Sequence, residues 1–292
     1  VRDSFSAKEA VDAVLRENIH GLELDQRCVE LAAFNLALTA WKVEGYYREL
    51  PELHVACSGL SIKSKKDEWL SIADKKDYLY QTLENLFEQV RCAPELGSLI
   101  DPQRTLGKNT LIELDWGVVE KSLNDFKNDY DLKEVGVAAK GALKALELLY
   151  KDYEIVWTNV PFLQSDNLSS YLHGFVKNFY PNSKADLATV FHERISRLIT
   201  KNGSMAIVQP QGFLYKDYYA QYRRKVFSDL QVPLLARLGA RAFSEITGEE
   251  VKVILSIYNK SLPLNSSVIR QIDATEGGVE EKASTLRFSG YS

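Results

Sequence analysis

The chain has 292 residues, 45% of them hydrophobic and 26% charged, which suits one large or two small globular domains with a core of their own. A net charge of −4 gives no overall basic signature for nucleic acid, and it leaves room for a DNA enzyme whose basic surface lies elsewhere in the protein. Cys28, Cys57 and Cys92 lack CxxC spacing and the four histidines lack HxxxH or HExxH spacing, so reduced thiols in a cytoplasmic setting and no metal site are expected.

The chain opens on Val1 rather than Met and closes on "STLRFSGYS", which reads as a piece of a longer protein. No signal peptide opens it, and no apolar run reaches the roughly 18 residues of a membrane span. Ser6, with Glu9 three residues on, forms a capping box that starts a helix to about Asn18. "IHGLEL" (19–24) reads as a strand, and Asp25 then caps a mostly apolar helix over 25–42. "LHVACSGL" (53–60) is the next strand. A helical period runs through Trp69, Ile72, Tyr78, Leu83, Leu86, Phe87 and Val90. Pro94, Gly97, Pro102 and Gly107 mark 93–112 as irregular, before a helix over 134–150. "YEIVWTN" (153–159) is a strand, 184–203 a helix closed by Gly203, and "SMAIVQP" (204–210) a strand. A helix over 216–229 and strands at 233–239 and 250–260 follow, and the polar residues 261–292 are expected to run over the surface.

Strands that are apolar throughout and alternate with helices predict an α/β protein with a doubly wound, mainly parallel sheet. Such sheets bind ligands outside the carboxyl ends of their strands. Two strand ends stand out. "GLELD" ends on Glu23, a carboxylate able to accept from two vicinal ribose hydroxyls; alone, Glu23 is equally an ordinary solvated glutamate beside a helix-capping aspartate. The 153–159 strand ends on Asn159-Val160-Pro161-Phe162. The Asn159 side-chain oxygen and the Val160 carbonyl suit the two N–H donors of an exocyclic amine, and the Phe162 ring suits stacking. Alone, these four residues read more simply as a turn after a strand.

Taken together, "GLELDQRCVELAAFNLAL", "TNVPFL" and "KADLATVFHERISRLITKNGSMAIVQPQGFL" resemble, in order and spacing, the motifs that follow the cofactor loop in amino methyltransferases. These are the S-adenosylmethionine-dependent DNA adenine-N6 enzymes, whose second site commonly reads Asn-Pro-Pro-Tyr or Phe. Here Val160 replaces the first proline, which keeps the accepting carbonyl and frees φ. More narrowly, "TNVPFL", "NSKADLATVFHER", "ARLGARAFSEITGEEVKVIL" and "HVACSGL…LGSLIDP" resemble the PglX-type methyltransferases of BREX phage-defence systems over nearly the whole chain.

The resemblance implies a Rossmann-like class I methyltransferase fold with a largely helical insertion. Residues 1–60 would be the cofactor-side half and 61–150 the insertion. Residues 151–260 would be the catalytic half, and 261–292 a surface segment leading toward a C-terminal domain. Glu23 would bind the cofactor's ribose and Leu24 would pack on its adenine. A third site usually offers Asp or Asn to that adenine, and Ser58 stands there. Asn159, Val160, Pro161 and Phe162 would hold an adenine flipped out of the duplex. Asp186 and Phe191 would lie on the helix lining the cofactor pocket, although Phe191 is equally plain core packing. The implied cofactor is S-adenosylmethionine. The implied partners are DNA and other defence-system subunits, with no membrane. The Gly-rich Phe-x-Gly-x-Gly loop for the methionine part and a target-recognition domain are expected outside these residues, so this segment alone is expected to be inactive. Two alternatives stand beside this reading. One is an inactive methyltransferase-like scaffold in a defence complex; the other is the same pocket acting on an RNA base or a protein amide.

Overall fold

A computed structural model of the chain describes residues 5–60, 66–71, 73, 78–106, 133–240, 242 and 252–288. The chain divides into two compact units, Val1–Lys151 and Asp152–Ser292.

In the first unit, α1 (Ala7–Ala13) starts at Ser6, whose hydroxyl accepts from the Glu9 N–H while the Glu9 carboxylate accepts from the Ser6 N–H at 2.9 Å. The capping box is therefore formed in both directions, and the helix widens through Val14–Asn18. β1 (His20–Glu23) follows. α2 (Gln26–Glu44) begins where the Asp25 side chain accepts from the Arg27 N–H, and stops at Gly45, whose φ of +82° favours glycine. β2 (His54–Cys57) pairs in parallel with β1, His20 opposite His54 and Glu23 opposite Cys57. Helices α3 (Lys66–Leu70), α4 (Tyr78–Arg91), α5 (Ala93–Leu96) and α6 (Pro102–Leu106) lead to α7 (Lys133–Tyr150). The stretch expected to be irregular thus carries helical turns as far as Leu106; 107–132 and Ile72 lie outside the described residues. α7 packs on β2, where Ala56, Ala145 and Leu148 form an apolar cluster with Leu22 against it.

The second unit holds β3 (Tyr153–Asn159), α8 (Ser170–Phe179), α9 (Leu187–Leu198) and β4 (Ile199–Pro210). After these come α10 (Ala220–Asp229), β5 (Gln231–Gly239), β6 (Val253–Asn259), β7 (Arg270–Asp273) and α11 (Val279–Phe288). The five strands form one sheet in the order β3-β4-β6-β5-β7. β3 runs parallel to β4 and β5 to β7, but β6 lies antiparallel to both β4 and β5. The fold is α/β as expected, whereas the doubly wound, mainly parallel sheet is corrected to a mixed one. Helical crossovers keep β3, β4 and β5 pointing the same way, and β6 returns between β4 and β5 in the opposite direction. Apolar patterning records burial, not direction, so the reversal left no mark in the strand sequence. α9 and α10 cover the sheet, burying Ile195, Tyr222 and Val226 with Met205, Ile254 and Tyr258.

Two further expectations are corrected. The helix expected to reach Gly203 ends at Leu198, and Gly203 lies within β4. A Cβ there would stand 2.9 Å from the Glu154 carbonyl and 3.0 Å from that of Thr200. Asn202 beside it has a φ of 67°, and the pairing of β3 with β4 slips at this point. The glycine therefore serves a close approach inside the sheet rather than a helix cap. Residues 261–292 also do more than run over the surface. They add β7 to the sheet and place α11, whose Lys282 is 3% exposed. The Lys282 ammonium donates to the carbonyls of Leu238, Ala240 and Thr275. β3 closes the opposite edge of the sheet, and there Ile155 is 63% and Trp157 75% exposed. Among the described residues no helix is long and apolar enough to cross a membrane.

Two outcomes follow from this packing. Gly203→Ala is expected to lower stability by roughly 1–3 kcal/mol in urea unfolding, through backbone displacement at the β3–β4 slip. His192, a buried residue of α9, has its imidazole pushed by burial down to about 3. Because an unfolded histidine titrates near 6.5, the neutral ring favours folding fully above about 6.5, and that contribution is lost as pH falls toward about 3. Urea midpoints measured from neutral pH downward are expected to fall along this limb, and His192→Leu to flatten it.

Candidate functional site

The expected site residues fall in both units: Glu23, Leu24 and Ser58 in the first, Asn159–Phe162, Asp186 and Phe191 in the second.

In the first unit, parallel pairing brings the carboxyl ends of β1 and β2 side by side. Glu23 is exposed, and its carboxylate has no partner among the described residues; Leu24, next to it, is 55% exposed. A free carboxylate beside a bare aliphatic side chain suits a ligand with hydroxyl donors and a flat apolar face. Ser58 is differently placed. It is buried, its backbone N–H donates to the Glu23 carbonyl at 2.7 Å, its hydroxyl donates to the same carbonyl at 3.2 Å, and it accepts from the Ser98 hydroxyl at 3.3 Å. Ser58 thus fixes the backbone beneath Glu23.

Several neighbours that were not singled out shape this end of the unit. The Cys57 thiol donates to the Leu24 carbonyl at 3.2 Å. A Cβ on Gly59 would lie 2.2 Å from that carbonyl, and one on Gly97 would lie 3.0 Å from the Leu24 Cδ1. Gly97 also holds a φ of +50°. These glycines let two backbones close around Leu24. The sequence signal was the glycine directly after each of "HVACS" and "PEL", a clue to close approach that carries no hint of its partner.

In the second unit, β3 gives its last ladder pair at Asn159, opposite Val208 of β4. Pro161 has no N–H to continue a ladder, and Val160 turns inward to 4% exposure within the main apolar cluster. The Asn159 side chain is exposed. Phe162 is half-buried and packs against both apolar clusters of the unit, which anchors the ring while part of it stays open. The loop is then tied back: Leu187 N–H donates to the Leu163 carbonyl at 2.8 Å, and Ser165 N–H to the Ala185 carbonyl at 3.2 Å.

Asp186 sits at the centre of this tie. At 5% exposure it caps α9, accepting from the Ala188 N–H at 2.8 Å. The Leu163 backbone, the Tyr219 hydroxyl and the Lys216 charge lie near enough to favour its ionised form. Burial pushes its carboxyl above the ordinary aspartate range, while these neighbours hold it down. Burial, and then the Asp186 charge, push the Tyr219 phenol up. Phe191 packs half-buried against the core from the same helix. The structure therefore gathers Asn159–Phe162 and Asp186 onto one loop-and-helix junction, with Asp186 turned inward as its clasp. Among the described residues no group of three or more His, Cys, Asp or Glu is placed to hold a metal ion.

Comparison with known proteins gives a consistent set of similarities. The Eco57I restriction-modification methylase family model matches residues 17–243. The chain is 26% identical over 267 residues to the adenine-specific methyltransferase PglX of Lacticaseibacillus casei (strain Zhang), covering 88% of this chain and 21% of that protein. It is 22% identical over 269 residues to the adenine-specific methyltransferase BrxX of Escherichia coli O9:H4 (strain HS), covering 85% of this chain and 22% of that protein. The chain therefore spans about a fifth of the length of these curated relatives. Among solved structures, the ATP-dependent Type ISP restriction-modification enzyme LlaBIII bound to DNA superposes with a TM-score of 0.51 at 12% identity, over 94% of this chain and 16% of that one. That likeness concerns the fold alone.

The clasp is open to test. Asp186→Ala is expected to cost about 1–2 kcal/mol in urea unfolding and to speed hydrogen exchange at the amides of Leu187 and Ala188. Asp186→Asn, which still offers an accepting oxygen to the Ala188 N–H, is expected to lose less than half as much.

Proposed function

The chain belongs to the Eco57I restriction-modification methylase family, and from that premise we propose that it forms part of an S-adenosylmethionine-dependent methyltransferase acting on the N6 amino group of adenine in DNA. The setting we assign is a modification or phage-defence system, resting on the restriction-modification family and on the resemblance of its motifs to BREX methyltransferases. The observation that carries the reading is the end of β3. An exposed amide oxygen on Asn159, the Val160 carbonyl and a half-open aromatic ring on Phe162 follow one another where the ladder stops.

An exocyclic amine presents two N–H donors in the plane of its ring. The Asn159 oxygen and the Val160 carbonyl accept them, which holds the nitrogen lone pair out of conjugation and orients it for attack. Phe162 stacks on the base, a contact worth about 1–3 kcal/mol. Reaching N6 requires the adenine to leave the duplex. Asp186 caps the helix whose Leu187 N–H holds the Leu163 carbonyl, so in this reading it acts on geometry rather than on the substrate. Glu23 and Leu24 fit the cofactor: an unpartnered, exposed carboxylate accepts from the two ribose hydroxyls, and the exposed leucine covers the adenine face. When bound, S-adenosylmethionine supplies the electrophilic methyl group. Positioning of the amine by the protein supplies much of the rate.

Two measurements on the full-length protein test this. Calorimetric titration is expected to show S-adenosylmethionine binding that Glu23→Ala weakens by roughly 10- to 100-fold, the loss of a charged hydrogen-bonding partner. Mass spectrometry of treated DNA is expected to find N6-methyladenine, and Asn159→Ala to reduce it by about 100-fold or more while cofactor binding is kept. A full-length protein that binds no cofactor and leaves DNA unmodified would instead be a scaffold, and the catalytic assignment would fall.

A further inference from the structure

The segment that follows β4 begins beside the point where the ladder of β3 stops. Asn159 pairs with Val208, and β4 ends shortly after it at Pro210. The chain then makes two short 3-10 turns, Gln211–Leu214 and Asp217–Tyr219, before entering α10. Phe213 and Tyr219 are buried in the apolar cluster that holds Val160, and Leu214 and Phe162 pack against it. The segment is therefore a neighbour of the Asn159–Phe162 loop. Its two other aromatic residues stay outside, Tyr215 at 57% and Tyr218 at 54% exposure. Lys216, between them in the chain, is exposed as well, and among the described residues its ammonium enters no ion pair. That ammonium lies 5.6 Å from the centroid of the Tyr218 ring.

This placement is held by the backbone. The Lys216 and Tyr215 N–H groups donate to the Gly212 carbonyl at 3.0 and 3.2 Å, and the Tyr219 N–H donates to the Lys216 carbonyl at 3.2 Å. From α10, the Arg223 guanidinium donates to the carbonyls of Phe213 and Lys216 at 2.9 and 2.5 Å. The Lys216 stem lies back over Gly212, where a Cβ would stand 3.3 Å from its Cδ and its Cε. A cation without a counter-ion and a bare ring are thus fixed side by side, next to the end of β3. The ligand that answers both carries anionic groups alternating with flat ones. A nucleic-acid strand does so, with phosphates for the ammonium and bases for the ring, and stacking needs no particular sequence. Asp217, next in the chain, is exposed too and offsets the lysine charge. The segment is therefore suited to gripping a strand already in place rather than to drawing one from a distance.

We propose that Lys216 and Tyr218 hold the DNA strand that delivers its adenine to the Asn159–Phe162 loop, the ammonium on a backbone phosphate and the ring against a base beside the flipped one. Extruding a base costs stacking along the strand, and a ring at the mouth of the pocket restores part of it. The proposal rests on the reading of that loop as a pocket for a DNA base.

The test is fluorescence anisotropy of a labelled single-stranded DNA of about 20 bases, titrated with the full-length protein over a range of salt concentrations. Each phosphate contact to a single strand adds about 0.7 to the steepness with which log K falls against log salt. Lys216→Ala is expected to reduce the steepness by about that amount, and Lys216→Arg to keep it. Tyr218→Leu is expected to weaken binding about 5-fold or more with the steepness unchanged, as loss of a stacked ring does. Both side chains are exposed, so the variants are expected to fold, which their melting temperatures check. Wild-type steepness in Lys216→Ala, or wild-type affinity in Tyr218→Leu, would overturn the proposal even where the protein methylates duplex DNA normally. Both binding effects in a protein that leaves duplex DNA unmethylated would instead remove methyl transfer and leave the strand contact standing.

Discussion

The second unit is organised around one buried carboxylate. Asp186 caps the first turn of α9, with the Leu163 backbone and the Tyr219 hydroxyl close enough to act on its charge. An N–H of that turn needs a partner when taken out of water, and the Asp186 side chain supplies it. The loop after β3 has no ladder of its own beyond Asn159, since Pro161 cannot donate. Its path is set from the other side by α9, through Asp186 and the Leu187 N–H. The exposed amide of Asn159 and the half-open ring of Phe162 owe their placement to a residue that faces away from solvent.

The first unit solves a similar problem with backbone rather than charge. Leu24 follows directly on β1, and its carbonyl is crowded by Gly59 and bonded by the Cys57 thiol. Ser58 binds the Glu23 carbonyl twice. The backbone under the Glu23 carboxylate is therefore pinned while the side chain is left unengaged. In both units the group exposed at a strand end is held by a polar residue buried beneath it, Ser58 in one and Asp186 in the other. Both are also residues that the family resemblance assigns to the cofactor side of the site.

That difference marks how far the sequence was legible. Signals carried by neighbours in the chain came through. The Ser6–Glu9 box, the Asp25 cap and the end of β3 at Asn159 each depend on residues a few positions apart, and all are present. Signals that depend on distant partners did not. Nothing in "EVKVILSIYNK" tells whether it runs with or against β4, so the mixed sheet was read as mainly parallel. Gly203 looked like a helix terminator because that is the common local reason for a glycine; its actual reason is the Glu154 carbonyl, nearly fifty residues earlier in the chain. Lys282 sits in a polar tail, and only the fold supplies the three carbonyls that hold its ammonium. Inward and outward facing polar residues look alike in sequence, so Asp186 and Ser58 were legible as important and not as supports.

The edge strand β3 has a consequence for how the chain behaves in company. Sheets are ordinarily protected at their edges by charge, proline, a bulge or brevity. From Ile155 to Thr158 the strand carries no charge and no proline, and its outward side chains are an isoleucine and an indole. A row of backbone groups beside such side chains is a template for another strand, whether from a longer polypeptide such as the relatives, about five times this length, or from a second chain. Where a second chain supplies it, addition is bimolecular, rises with protein concentration and is blunted little by salt. A single lysine at Trp157 would turn that edge from a template into a guarded border without touching the core on the other side of the strand.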